Sequence, residues 1–278
     1  MSPSLGDRSA PREGLPEGSA EDLHERLVAL DSVAVAFSGG VDSSVLLHAA
    51  YAALGERCVA VVADSPSLPR RELAEAREVA RGIGARLQVV LPDELSDPRY
   101  RANGPNRCYH CKSALFQVVL PWALEHGFRA VAVGEITDDL LDDRPGSRAA
   151  VELGVVAPLR DAGFSKADVR RYARTAGLSV ADKPASACLA SRLPRGTPVT
   201  RARLARVEAA EERLRGLGLR ALRVRDHGQR ARVEVGADEL AGARLQAGRI
   251  GGVLRESGFG AFELAAYVSP AERPRADS

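Results

Sequence analysis

The chain has 278 residues, with 39 Lys and Arg against 37 Asp and Glu and a formal net charge of +2. That length supports one large or two small hydrophobic cores, and the even balance gives no global argument for a nucleic-acid or acidic-membrane partner. No apolar stretch reaches bilayer length and no leader pattern opens the chain, so a cytoplasmic protein is expected, in which the four cysteines serve metal or redox chemistry before disulfides.

The first predicted helix, over about 21–30, leads to a strand at 33–37. A helix over 43–54 leads to a strand at 58–63, and one over 69–83 to a strand at 86–91. A polar stretch with Asn103, Gly104, Pro105 and Asn106 precedes a helix over 112–126; a strand at 129–133 ends at Gly134, and a helix over 165–176 follows Pro158-Leu159. Short apolar runs alternating with amphipathic helices indicate an α/β fold, a parallel sheet covered on both faces. From about 200 the pattern changes to an Arg/Glu-rich helix over 201–217, two strands at 220–227 and 230–235 around His227-Gly228-Gln229, a helix over 237–256 and a last strand at 261–268. The expected organisation is an α/β domain at 21–198 and a smaller α+β domain at 199–268. The aperiodic ends at 1–20 and 269–278 read as disordered tails.

Ser38-Gly39-Gly40-Val41-Asp42-Ser43-Ser44 follows the apolar run ending at Phe37 and precedes the apolar helix pattern from Val45. Two glycines allow a tight turn and close approach of a ligand. The amides opening the helix, aided by its dipole, favour an anion, and Ser38, Ser43 and Ser44 add hydroxyls. The lysine of a Walker-type loop is missing, so this is another kind of phosphate cradle. The alternative is a chance glycine turn capped by serines. Ligands in such sheets sit beyond the carboxyl ends of the strands, where Asp64 and Gly134 also fall. Phe37, Ser38, Gly39, Gly40, Val41, Asp42, Ser43, Ser44, Asp64 and Gly134 are the candidate nucleotide-binding residues, and Asp42 is also a catalytic candidate.

Cys108-Tyr109-His110-Cys111-Lys112 is a C-x-x-C at an expected loop-to-helix junction, and Cys188 lies far along the chain. Spacing leaves three readings open: zinc with His110 as a further ligand, a [4Fe–4S] cluster with one iron free, or a redox dithiol. Cys58, mid-strand, reads as a core thiol. Asp138, Asp139, Asp142, Asp143 and Arg144 form a charged loop, either solvated or holding Mg²⁺. Lys112, Arg192, Arg223 and Arg225 could bind a phosphate-bearing substrate. For each of these, and for Glu211, the competing expectation is an ordinary surface residue.

Together these motifs carry a resemblance. The 38–44 segment is the signature of PP-loop ATP pyrophosphatases. With Ala63-Asp64-Ser65, Cys108-Tyr109-His110-Cys111-Lys112, Asp143-Arg144-Pro145-Gly146 and the segment from Ala185-Ser186-Ala187-Cys188 through Gly196-Thr197, residues 21 to 268 resemble the LarE family. These are ATP-dependent sulfur transferases that help build the nickel-pincer nucleotide cofactor of lactate racemase. The resemblance implies ATP with Mg²⁺ as co-substrate and pyridinium-3,5-dicarboxylic acid mononucleotide as substrate. A carboxylate is adenylylated, sulfur displaces AMP, and two rounds give a bis-thiocarboxylate.

The family has two branches. In one a cysteine surrenders its own sulfur; in the other three cysteines hold a [4Fe–4S] cluster bearing an extra sulfide. Cys108, Cys111 and Cys188 fit the second, as metal ligands and catalytic residues, although Cys188 lies in the segment that carries the sacrificial cysteine of the first. The resemblance further places Lys112 near the substrate, Glu211 and Arg223 near the phosphate or metal, and Ser191 and Arg192 beside the sulfur site. The expected partners are the small-molecule nucleotide, the other enzymes of cofactor assembly and further copies of the chain, with no nucleic acid or membrane. The rivals are a PP-loop tRNA thiolase, suggested by the Arg-rich 213–232 stretch, an amide-forming synthase, and a nucleotide sensor without chemistry.

Overall fold

The computed structural model describes residues 19–141, 145–184 and 186–268; the expected tails, except 19–20, and the Asp142, Asp143 and Arg144 part of the charged loop lie outside these. Helix α1 (Ala20–Ala29) is capped by Ser19, whose side chain accepts from the Asp22 amide. Strands β1 (Val33–Ala36), β2 (Cys58–Ala63), β3 (Arg86–Val90) and β4 (Ala130–Val133) form a parallel sheet in the order β3-β2-β1-β4. Helices α2 (Val41–Leu54), α3 (Arg70–Ile83), α4 (Pro98–Arg101), α5 (Arg107–Glu125), α6 (Pro145–Glu152), α7 (Pro158–Asp161) and α8 (Lys166–Thr175) complete this part.

The strands read as unbroken apolar runs because both faces are covered. Val33, Val35, Ala60, Val62 and Ala132 enter a core with α1, α2, α3 and α8. Their neighbours Ala34, Val59, Val61, Val131 and Val133 enter a second core with α5 and α6, as strand alternation requires. Cys58 is a fully buried core thiol, its pKa pushed up to about 12 by burial. The chain runs from β1 outward through β2 and β3, then returns to place β4 on the other side of β1. The β1–β4 boundary is therefore the switch point where such sheets bind ligands, and the 38–44 turn opens onto it.

Helix α9 (Arg201–Arg215), β5 (Leu222–His227), β6 (Arg230–Val235), α10 (Leu240–Leu245), α11 (Ala247–Glu256) and β7 (Ala261–Ala266) follow. β5 pairs antiparallel with β6, and β6 parallel with β7. Leu222, Val224, Ala231, Val233 and Val235 pack against Ala210, Leu214, Ile250 and Leu254 in a core of their own. The predicted helix over 237–256 is two helices that meet at Gln246, whose φ of −98° and ψ of 13° break the turn without interrupting the apolar spacing. Helix α5 starts at Arg107, not 112, because the preceding turn ends at Asn106 after Asn103 has taken a left-handed φ of 55°. The C-x-x-C thus lies within the first turns of a helix. Among the described residues no helix is long and apolar enough to cross a membrane.

Candidate active site

The cradle between β1 and α2 is built from backbone. Gly39 has φ 69°, and a Cβ there would fall 2.9 Å from Cβ of Ala76 on α3. A Cβ at Gly134 would fall 2.7 Å from the Ser43 nitrogen, so the end of β4 lies directly on the first turn of α2. The helix cap, Gly40, makes no side-chain bond to the opening amides of α2. Ser43 Oγ accepts from the Ser38 amide at 3.3 Å, donates to the Gly40 carbonyl at 3.2 Å and lies 3.0 Å from Ser38 Oγ. Phe37 and Ser44 are buried, Phe37 donating its amide to Val61 and packing into the core.

A cleft of about 420 Å³ runs from this turn, lined by Ser38, Asp42, Lys112, Lys166, Lys183 and Cys188 among others. Lys166, at the start of α8, donates to both Asp42 oxygens at 2.7 and 2.8 Å. Lys183 donates to the Gly39 carbonyl at 3.3 Å and to Glu72 at 2.8 Å. Lys112, whose Nζ stands 5.7 Å from the Phe116 ring centre, has no carboxylate partner among the described residues. Three ammonium groups at the mouth of an amide-lined turn suit a polyphosphate.

At the far end the thiols gather. Cys111 and Cys188 pack against one apolar cluster with Tyr100, Leu189 and Leu193, while Cys108 is exposed. Burial, and then the neighbouring Cys188, Glu94 and Cys108, push the Cys111 thiol up to about 12. Arg107 donates from one nitrogen to the Ala190 carbonyl and to Asn103 Oδ1, each at 2.8 Å, with its other nitrogen 4.0 Å from Cys108 Sγ. Buried Asn103 donates to the carbonyls of Pro194 and Thr197 at 2.8 and 2.9 Å, fastening the segment after Cys188 to the start of α5. Among the described residues no three His, Cys, Asp or Glu side chains are arranged to hold a single metal ion.

The charged residues expected on the surface are partly interior. Arg192 and Glu211 are 5% and 2% exposed and pair at 2.9 Å; Glu211 also takes the Val224 amide at 3.0 Å and Arg215 at 3.2 Å. Arg192 donates to the carbonyls of Ala187 and Cys188 at 2.5 and 3.1 Å, and Ser191 Oγ to that of Cys188 at 2.7 Å. These bonds hold the backbone of the cysteine itself. Arg225 pairs with Glu234 at 2.9 Å and donates to Ser191 O at 2.8 Å. Arg223 lies 4.3 Å over Tyr267, its pKa lowered by burial.

Arg192, Glu211, Arg223 and Tyr267 line a neighbouring cleft of about 620 Å³ that shares Lys183 with the first. Asp64 pairs with Arg70 and lines a separate cleft of about 500 Å³ with Arg201 and Glu208. Asp138 and Asp139 accept the amides of Lys166 and Ile136. Glu211→Ala is expected to destabilise the protein by about 3–5 kcal/mol, since it strands a buried guanidinium; urea unfolding measures this. Sequence reasoning missed Lys166, Lys183, Glu72, Asn103 and Arg107, because a lone lysine or arginine has no spacing to betray it. Only the Ser165 helix cap next to Lys166 and the nearness of Lys183 to Cys188 were available as signals.

A parallel sheet with an SGG-x-DS turn at its switch point and lysines facing that turn defines a nucleotide-binding protein of the PP-loop class. No protein-family profile matches the chain. It is 37% identical over 231 residues to the pyridinium-3,5-bisthiocarboxylic acid mononucleotide synthase of Lactiplantibacillus plantarum, spanning 83% of this chain and 84% of that one. It is 42% identical over 224 residues to an uncharacterised protein of Synechocystis sp., at 81% and 84% coverage. A more distant relative is the tRNA-specific 2-thiouridylase MnmA of Caulobacter vibrioides, 26% identical over 213 residues, at 62% and 52% coverage. The chain belongs to the LarE family, that of the Lactiplantibacillus synthase.

Proposed function

We propose that the protein is an ATP-dependent sulfur transferase that adenylylates the carboxylates of pyridinium-3,5-dicarboxylic acid mononucleotide and converts them to thiocarboxylates. The observation that carries this reading is that one cleft holds both the phosphate cradle and Cys188. A carboxylate resists nucleophiles because it is anionic and lacks a leaving group, and an acyl adenylate supplies one. The opening amides of α2, with Lys166 and Lys183, stabilise the charge that develops on pyrophosphate, and Lys112 meets the anionic substrate. Mg²⁺, when bound, would neutralise further phosphate charge.

The thiols of Cys108, Cys111 and Cys188 suit a [4Fe–4S] cluster. Cys188 and Cys108 both act on the Cys111 thiol, and Cys111 and Cys188 pack against one apolar cluster, so the three soft ligands share a neighbourhood. The cluster, when bound, would supply a sulfide kept deprotonated by iron. Protein purified without oxygen is expected to be brown, with iron and sulfide in comparable amounts on these cysteines; colourless anaerobic protein with stoichiometric zinc would contradict that part.

The division near residue 199, a cytoplasmic location and assembly with further copies of the chain belong to the same reading, supported by four free cysteines for the location and by the separate core that begins with α9 for the division. The function itself is tested by pyrophosphate release from ATP that depends on the pyridinium nucleotide; no such dependence contradicts it. The alternative, a tRNA thiolase, is favoured by the likeness to the thiouridylase, and strong salt-sensitive retention on tRNA would support it instead.

A further inference from the structure

Arg107 divides its guanidinium between two tasks. One terminal nitrogen donates to the Ala190 carbonyl and to Asn103 Oδ1, each at 2.8 Å. Asn103 is fully buried and donates its own amide to the carbonyls of Pro194 and Thr197, which fixes where its Oδ1 points. The planar guanidinium is thereby held in one orientation. Its other terminal nitrogen stands 4.0 Å from Cys108 Sγ and, among the described residues, meets no oxygen acceptor. A clamp on the backbone at residue 190 needs the first nitrogen alone. The second is a preorganised donor beside an exposed thiol.

The charge there has the sign an anion requires. Burial works against the Arg107 guanidinium, yet Cys188 and then Cys108 raise its pKa above the ordinary arginine value. Arg107 and Cys108 open α5, a helix of 19 residues whose cap, Asn106, makes no side-chain bond to the opening amides, so the positive end of the helix adds to the guanidinium. The nucleotide has other cations. Lys112, Lys166 and Lys183 line the cleft of about 420 Å³ with Cys188, whereas Arg107 and Cys108 do not line it. The reactant left without a binding group is the sulfur donor. Inorganic hydrosulfide is a small anion, and the Glu94 carboxylate, 1% exposed and acting on Cys111, repels it unless a cation holds it.

We infer that Arg107 is the binding residue for inorganic hydrosulfide, holding it beside Cys108 while the carboxyl group is activated in the cleft, an inference that rests on the sulfur-transfer reading above. The second guanidinium nitrogen donates to the anion, and the first keeps the fork in place.

Two readouts test this on the full chain purified without oxygen, with variants compared at equal iron content: equilibrium dialysis against radiolabelled sulfide, and the KM for sulfide in thiocarboxylate formation. Wild type is expected to retain sulfide. Arg107→Gln should weaken retention on the order of tenfold, the scale of one hydrogen bond to a charged group, and raise the KM for sulfide by a similar factor while the KM for ATP stays in place. Arg107→Lys, which keeps the charge, should recover most of the affinity. Wild type that retains no sulfide, Arg107→Gln that retains it as wild type does, or Gln and Lys variants that fall alike, as loss of a mere clamp requires, overturns the inference. Should Arg107→Gln not fold, chloride decides on wild type: an anion site loses sulfide severalfold as chloride is added, and retention indifferent to chloride overturns the assignment. Sulfide retention that depends on Arg107 in a protein that forms no thiocarboxylate would overturn the proposed function and leave the anion site standing.

Discussion

Cys188→Ala is expected to abolish thiocarboxylate formation, a loss of about 10³-fold or more, as when one member of a group of residues that acts as a unit is removed, while part of the substrate-dependent pyrophosphate release survives. The split follows from the layout of the cleft. The groups proposed to hold the nucleotide are the 38–44 turn, Lys166 and Lys183, whereas Cys188 packs against the apolar cluster beside Cys111. The backbone around residue 188 is held by Arg192, Ser191 and the Leu189 amide bond to Ser67. None of these needs the thiol, so the variant keeps its shape. Single-turnover assays of both products measure the split, and full thiolation by the variant would remove Cys188 from the chemistry.

The second large effect is expected at Asp42. Asp42→Ala should lower ATP turnover by about 10²–10³-fold, the scale of losing one preorganised charged group. Asp42 is in the first turn of α2 and fixes the Lys166 ammonium through both of its oxygens. Without it Lys166 loses its orientation and the cradle loses its carboxylate. Lys166→Met should therefore reproduce much of the defect. Pyrophosphate release at saturating ATP measures it, and unchanged turnover in Asp42→Ala would contradict the role of the turn.

What could be read from the sequence was what has a local period or a local shape. The four strands of the first sheet are apolar runs because both faces are covered, and the SGG-x-DS turn announces itself because only glycine takes the conformation of Gly39 against Ala76. Elements without such marks were missed. Helices α6 and α7 are short and begin at prolines, and the break at Gln246 leaves the apolar spacing of α10 and α11 intact. The cleft was legible in part. Asp42 and Cys188 were found by their motifs and line it together. Arg192 and Glu211, indistinguishable from surface charges in the sequence, are a buried pair made by the approach of the 189–192 turn to α9. Asp64 was placed with the nucleotide because it ends β2, but its side chain turns to Arg70 and a different cleft. Such pairings depend on which segments meet in space, and no window along the chain contains them.

The most direct measurement is mass spectrometry of the small-molecule products and of the protein after anaerobic turnover with ATP, sulfide and the pyridinium dicarboxylate nucleotide. The account predicts nucleotide carrying one and then two oxygen-to-sulfur exchanges, with AMP and pyrophosphate formed alongside and Cys188 intact. Unchanged nucleotide in the presence of ATP cleavage would contradict sulfur transfer, and conversion of Cys188 to dehydroalanine would contradict the cluster as the sulfur source.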